Sequence, residues 1–314
     1  MQIHYDFTDT DHIRNAVVTT GSFDGVHIGH RVIIEHISNL AKEINGVSVL
    51  ITFWPHPRKV LYPETTGKEL QLINTQREKI DLLSSTKLDH LIIVPFTIEF
   101  AKTSSYDFVV NILLNKIHAS IIVVGFNHHF GHNREGSYEL LHDLSHKMNF
   151  AVHEIPEQAI QNETVSSTKI RQALMNGNLQ KANAYLDSIY TVTGPIIHCN
   201  ELPFSTSSHC KIGIEEEEKL VPPEGYYAGY VQFNHEKVKV LIIVTRNPNS
   251  ERNMHDKAVY IIQSKDTQSL TIAQNDIAEA SFHKRLSAEF PEFPNDIDEQ
   301  SIDSYLHDID ELIY

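Results

Sequence analysis

Apolar residues in the first half of the chain gather in short, nearly unbroken runs at 17–18, 47–53, 91–94 and 121–124, each followed by a longer segment of mixed polarity. Runs of this length predict strands buried on both faces and joined by helices, the pattern of a parallel sheet in an α/β sandwich. Ligands of such sheets bind in the crevice at the carboxyl ends of the strands. Phe108, Ile112 and Leu113 carry helical spacing, as do Leu140, Leu141 and Leu144, and both sets read as core. A further helix is expected from Ser167 to about Leu186. From about Tyr190 to Gln274 the pattern shifts to short alternating segments, notably 226–231, 238–244 and 258–262, which predict a small β-barrel. Beyond Asp296 an acidic stretch carries Ile302, Tyr305, Leu306, Ile309 and Leu312 at the spacing of an amphipathic terminal helix. The expected division is one α/β domain over 1–188 and a barrel domain over 189–314.

The first apolar run opens into the sequence Gly21-Ser22-Phe23-Asp24-Gly25-Val26-His27-Ile28-Gly29-His30. Glycines at 21, 25 and 29 let backbone come close to a ligand, and the unpaired N–H groups of the helix that follows face negative charge. His27 and His30, three apart, share a helical face, where each ring can donate to a phosphate oxygen. The plainer reading is a strand, turn and helix with merely exposed histidines. The segment has neither the lysine of a P-loop nor the glycine pattern of a dinucleotide fold. Asp24 either caps the turn or contacts ligand.

Three later segments also carry candidate chemistry. Trp54-Pro55-His56-Pro57 ends a strand with residues that cannot continue a ladder, so it turns at the sheet edge with His56 either structural or ligand-facing. Residues 125–131, Gly-Phe-Asn-His-His-Phe-Gly, form a glycine-bounded loop in which Asn127 offers donor and acceptor. A zinc site at His128, His129 and His132 is disfavoured against a polar pocket rim. Ser166-Ser167-Thr168 followed by Ile170, Arg171 and Leu174 reads as a helix start bearing one cation.

Composition narrows the partners. With 26 basic and 41 acidic residues the formal charge is −15, which weakens nonspecific attraction to nucleic acid. Arg58-Lys59 and Arg77-Glu78-Lys79 are too short to make a nucleic-acid face and read as solvated surface, as does the acidic run at 215–218. No apolar run reaches membrane-span length, and the first residues lack the pattern of an export signal, so no membrane is expected and the cytoplasm is the default location. The 2 cysteines, Cys199 and Cys210, are too few for a disulfide framework and are expected as ordinary thiols.

The Gly-Ser-Phe-Asp-Gly-Val-His-Ile-Gly-His stretch resembles the signature of the HxGH nucleotidylyltransferases. Together with 52–57, 124–131 and 165–171 in the same order, it is most similar to the adenylyltransferase half of the bifunctional riboflavin kinase/FAD synthetases. The resemblance is clear over about residues 13–190 and faint beyond. It implies a Rossmann-like nucleotidylyltransferase domain followed by a riboflavin-kinase-like barrel with a terminal helix, acting on ATP and FMN as substrates with Mg2+, and forming FAD. It implies catalytic roles for His27, His30, Asn127 and Arg171, and nucleotide contacts for Gly21, Phe23, Asp24, Gly25, Gly29, Ser167 and Thr168. His56, Pro57, Asn127 and His129 fall near the flavin or its phosphate. The resemblance designates no protein ligand to Mg2+, and a homo-oligomer is left open.

The second domain departs from that family. Where a Pro-Thr-Ala-Asn element is expected, the chain reads Leu202-Pro203-Phe204-Ser205-Thr206-Ser207-Ser208; Thr206 aligns, but the Asn is missing. Ala258 stands where a glutamate base is expected, and alanine cannot accept a hydroxyl proton. The expectation is FMN adenylylation with kinase activity lost. The alternatives are a bifunctional enzyme, or a barrel serving as a flavin-binding, regulatory or oligomerisation module.

Overall fold

In the first half of the chain each apolar run is a strand, and alternate residues of those strands serve two separate cores. The computed structural model describes all residues except 127, 157–158, 161–162, 202–206, 234–235, 247–256, 265–274, 289–298 and 313–314. It divides into two units, Met1–Leu70 with Gln76–Ser166, and Gln71–Thr75 with Ser167–Tyr314.

The first unit runs β1 (Gln2–His4), β2 (Ala16–Thr20), α1 (Ile28–Glu43), β3 (Val47–Trp54), α2 (Pro57–Leu61), α3 (Gln76–Ser84), β4 (His90–Pro95), α4 (Ser105–Asp107) continuing as a π-helix over Phe108–Leu114, β5 (Ala119–Gly125), α5 (Tyr138–Ser145) and β6 (Ala151–Ile155), then the short hairpin β7 (Ala159–Ile160) and β8 (Glu163–Thr164). The sheet order is β1-β4-β3-β2-β5-β6, with every neighbour parallel. Val18, Val49, Ile51, Ile92, Ile122 and Val124 pack one face against Phe108, Leu113, Leu141 and Leu144. Val17, Leu50, Leu91, Ile93 and Val123 pack the other against Ile34, Ile37 and Leu83. Burial of each such side chain contributes about 1.5–3 kcal/mol, which is why the strands read as continuous rather than alternating runs. Chain order reverses across β2, whose neighbours are β3 and β5, so the loops leaving β2 and β5 diverge from a common crevice.

The second unit begins with α6 (Ser167–Met175) and α7 (Leu179–Leu186). The single helix expected across this span is broken at Gly177, with φ of 71°, and Asn178, whose side chain accepts from Lys181 N. Both helices fall with the barrel rather than with the parallel sheet, so the units divide after Ser166, whereas the sequence suggested a boundary after 188. Asn183 ties α7 to the barrel by donating to Phe282 O (3.0 Å) and accepting from Tyr190 N (2.8 Å). The barrel strands are β9 (Tyr190–Glu201), β10 (Ser207–Ile212), β11 (Gly225–Phe233), β12 (Glu236–Arg246), β13 (Lys257–Ser264) and β14 (Ile277–Ser287), closed in the order β10-β13-β12-β11-β14-β9. The terminal helix α8 (Glu299–Leu312) buries Ile302 and Ile309 against Tyr226, Leu241, Ile243, Tyr260 and Ile262, while Leu312 stays exposed. The ladder of β9 and β10 sets Cys210 opposite Cys199, and Cys210 is disulfide-bonded, which corrects its reading as a thiol. Register, invisible in the spacing of two lone cysteines, is what brings them level. Among the described residues no helix is long and apolar enough to cross a membrane.

Candidate active site

The turn from β2 into α1 is built on backbone that few sequences tolerate. Phe23, Gly25 and Val26 all have positive φ, at 48°, 94° and 36°. Glycine accepts this freely, but a β-branched valine does not, so the fold around Val26 holds a strained conformation. The consequence is local: Phe23, Asp24, Val26 and His27 turn inward and are buried. Gly21 permits the ring of Phe23 to close over it, because a Cβ there would stand 3.1 Å from that ring.

His27 is the N-cap residue of α1 and makes no capping hydrogen bond with its side chain. The first-turn N–H groups therefore keep the polarity that favours an anion. The His27 ring instead stacks on His30, with centroids 3.7 Å apart and planes 16° apart, and His30 stacks on Phe23 at 4.3 Å. Burial lowers His27 to about 4, with Asp24 opposing, and holds His30 well below the ordinary histidine value, with His27 and Lys79 adding repulsion. Both rings are thus neutral at pH 7, and the Nδ1 of each is buried without a hydrogen-bond partner among the described residues. Two buried polar atoms left unsatisfied side by side need an explanation, and a bound phosphate oxygen supplies one.

In front of this stack lies a cavity of about 870 Å³ within the first unit, a size suited to a nucleotide or cofactor. Of the candidate residues, Gly21, Phe23, His30, His56, Pro57 and His129 line it. Asp24, Gly25 and His27 belong to the turn behind His30, and Gly29 is the second residue of α1. Phe53, Phe96, Phe100, Phe126 and Phe130 add flat apolar surface, and Arg58, Lys102 and Arg134 add charge. His56 closes the sheet-edge turn by accepting from Arg58 N at 3.1 Å as the N-cap of α2. At the other side, His128 Nε2 meets Thr20 Oγ1 at 3.3 Å, and burial lowers it to about 4. His132 Nδ1 meets Ala101 O at 3.2 Å. Among the described residues His128, His129 and His132 do not converge as a metal-ligating group. Asn127 lies outside the described residues.

Two basic segments read as solvated surface behave differently here. Arg58 is exposed but lines the cavity, so the charge does face a ligand space. Glu78 and Lys79 are buried, and Lys79 Nζ lies 3.4 Å from both Ser22 O and Thr52 Oγ1. The available signal was Leu83, four residues beyond Lys79 on the buried stripe of α3.

Ser167, Thr168 and Arg171 belong to the second unit, on α6. Arg171 Nε donates to Gln71 O at 2.8 Å. Ala258 is buried on β13 within the apolar cluster beneath α8, and Thr206 lies outside the described residues.

The described residues lining the cavity offer hydroxyls, imidazoles and cations but no carboxylate. That donor set does not fit a protein-held magnesium ion, which prefers carboxylate, carbonyl and water oxygens. Magnesium is therefore written below as part of the MgATP substrate.

Comparison with known proteins identifies the family. Residues 9–169 match the family described as FAD synthetase. The chain is 32% identical over 219 residues to a bifunctional riboflavin kinase/FMN adenylyltransferase of Buchnera aphidicola subsp. Acyrthosiphon pisum, covering 70% of this chain and 69% of that protein. It is 29% identical over 282 residues to a protein of the same name from Listeria monocytogenes, covering 88% and 81%. A Listeria monocytogenes FAD synthetase is 35% identical over 181 residues, covering 58% and 72%. A solved structure titled macrolide-efflux protein, from Streptococcus pneumoniae, superimposes with a TM-score of 0.79 over 98% of this chain and 97% of that one, at 22% identity, and so shares the fold. With the HxGH turn, the parallel sheet and the barrel in this order, the chain belongs to the FAD synthetase family.

Proposed function

We propose that this protein transfers the adenylyl group of ATP to FMN. An oxygen of the FMN phosphate attacks the α-phosphorus of MgATP, a new P–O bond forms, and the bond to the β-phosphate breaks with its electron pair leaving on pyrophosphate; the products are FAD and pyrophosphate. The observation that carries this reading is the stacked His27–His30 pair, whose unpartnered Nδ1 atoms sit at the open start of α1 behind a cavity lined by aromatic rings and cations.

In this reading His30, open to the cavity, donates to the triphosphate as charge develops, and His27 holds its ring in place by stacking. The glycines at 21, 25 and 29 and the first-turn amides bring backbone to the phosphates, and the flavin ring packs among the phenylalanines with His56, Pro57 and His129 at its phosphate end. The family motifs also assign nucleotide contacts to Asn127, Ser167, Thr168 and Arg171, the last through a planar fork of donors. No covalent protein intermediate is needed.

The finer part of the proposal is that the barrel has lost riboflavin kinase activity. Ala258 belongs to one buried apolar cluster with Tyr226, Leu241, Ile243 and the α8 residues Ile302 and Ile309, an apolar setting where a catalytic base is expected. The bifunctional reading is favoured by relatives that carry both activities in their names. Purified protein given FMN and MgATP should yield FAD and pyrophosphate in equal amounts. Failure to form FAD from supplied FMN would refute the adenylyltransferase reading.

A further inference from the structure

Far from the cavity, three histidines meet that the adenylyl-transfer chemistry does not use. His4 is the last residue of β1, His90 the first of β4, and His12 lies in the loop before β2. Parallel pairing of β1 and β4 sets Gln2 opposite His90 and His4 opposite Ile92, so His4 and His90 are diagonal neighbours on one sheet face. Their rings stack at 5.3 Å, and His12 stands 5.7 Å from each. One ring nitrogen from each residue can be chosen so that all lie within 4.8 Å of one another. The cavity-lining Phe96 directly follows β4, so the cluster at its other end is roughly 20 Å away along the strand.

We propose that His4, His12 and His90 form a zinc site, each giving one ring nitrogen, with water at the fourth position. Zinc–nitrogen bonds of about 2.0–2.1 Å in a tetrahedron place ligand atoms roughly 3.3 Å apart. His4 Nε2 and His90 Nδ1 are already 3.1 Å apart. His12 is exposed on a loop and closes the remaining distance by ring rotation. Burial first, and then the charge of His12, holds His4 below the ordinary histidine value, and burial, His4 and His12 do the same for His90. Asp9 beside His4 and Asp89 beside His90 oppose this shift, while the amino terminus adds to it at His90. An ordinary core hydrogen bond explains His4 with His90, but not the third imidazole arriving from a separate loop. The ion clips that loop to the edge strand β1, an otherwise short pairing of three residues.

The test uses the full-length chain, stripped with a chelator and dialysed. Zinc titrated calorimetrically should bind once per chain with micromolar or tighter affinity and raise Tm. Cobalt(II) should give the intense visible bands of a tetrahedral site. His12→Ala, at an exposed position, should keep the fold yet lower zinc affinity roughly 100-fold or more, since loss of an outer-shell partner alone costs 10–100-fold, and abolish the cobalt bands. A His142→Ala/His146→Ala double variant should change neither, excluding the surface pair whose rings are 4.5 Å apart. Absence of zinc binding, weak octahedral cobalt spectra, or binding that survives His12→Ala would overturn the proposal.

Discussion

The rings of His27 and His30 lie face to face, 3.7 Å apart at 16°, with the Nδ1 of each buried and unpartnered among the described residues. Two positive rings at that distance would repel strongly, and burial already disfavours charge, so the pair is neutral in the free protein. An arriving triphosphate changes the balance by supplying acceptors and opposite charge. The pair is thus prepared for an anion, with Asp24 the carboxylate whose charge partly offsets burial at His27.

His30→Ala removes the ring that faces the cavity while leaving the sheet untouched. FAD formation should fall about 10²- to 10³-fold, the range found for loss of one preorganised donor. Circular dichroism and Tm should change little by comparison. Near-normal turnover in a folded variant would remove His30 from the chemistry.

The depressed histidines set an acid limit on stability. His27 and His128 are each lowered to about 4 against an ordinary value of 6.5, mainly by burial. Above pH 6.5 both folded and unfolded chains leave these rings neutral, and the full stability is present. As pH falls from 6.5 towards 4 the unfolded chain gains protons that the folded chain refuses, so stability declines, and the loss levels off once the folded rings also protonate. Each ring contributes a loss on the order of 3 kcal/mol over that window. Urea unfolding at a series of pH values checks this: His27→Asn and His128→Asn should each flatten the slope between pH 6.5 and 4, and parallel curves for variant and parent would contradict it.

Much of this was legible because the parallel strands are buried on both faces, which writes them as apolar runs, and because the HxGH turn keeps its residues contiguous. Lys79 was hidden for the opposite reason: its neighbour Arg77 is exposed while Glu78 and Lys79 are buried, and composition alone cannot say which side of α3 faces the core. The break between α6 and α7 turns on one positive-φ glycine, Gly177, and one cap, Asn178, inside an otherwise continuous helical pattern. The gathering of His4, His12 and His90 depends on strand register and one loop path, neither of which any local spacing encodes.

Gly131 is a sharper test of the cavity wall than its sequence position suggests. Its φ is 74°, and a Cβ there would stand 2.6 Å from the Ser105 backbone. Gly131→Ala should cost about 1–3 kcal/mol through strain and forced separation of the two segments, and should raise the KM for FMN because Gly131 lines the cavity beside Phe130. Gly125→Ala is the control: its Cβ would meet Ile33 at an ordinary 3.5 Å, with no positive φ, so stability should be nearly unchanged. Equal effects from the two substitutions would show that the close approach to Ser105 is unimportant.

The barrel poses the last question. A riboflavin kinase must take the proton from the 5′-hydroxyl as the γ-phosphoryl group arrives, and Ala258 has no group to accept it. Its neighbours on the same face of β13 are Tyr260 and Ile262, and burial raises the Tyr260 phenol above its ordinary value, making it a poorer base at neutral pH. Lys257, on the opposite face, is lowered to about 8 mainly by burial, but its Nζ donates to Val221 O at 2.9 Å and Pro222 O at 3.0 Å, which occupies it structurally. Riboflavin with excess MgATP should therefore give no FMN above background, while FMN in the same reaction gives FAD; chromatography of flavins resolves both. Ala258→Glu tests the converse: if the missing carboxylate is the main defect, FMN formation should become detectable, whereas robust FMN formation by the parent chain would restore the bifunctional reading and make some residue other than position 258 the base.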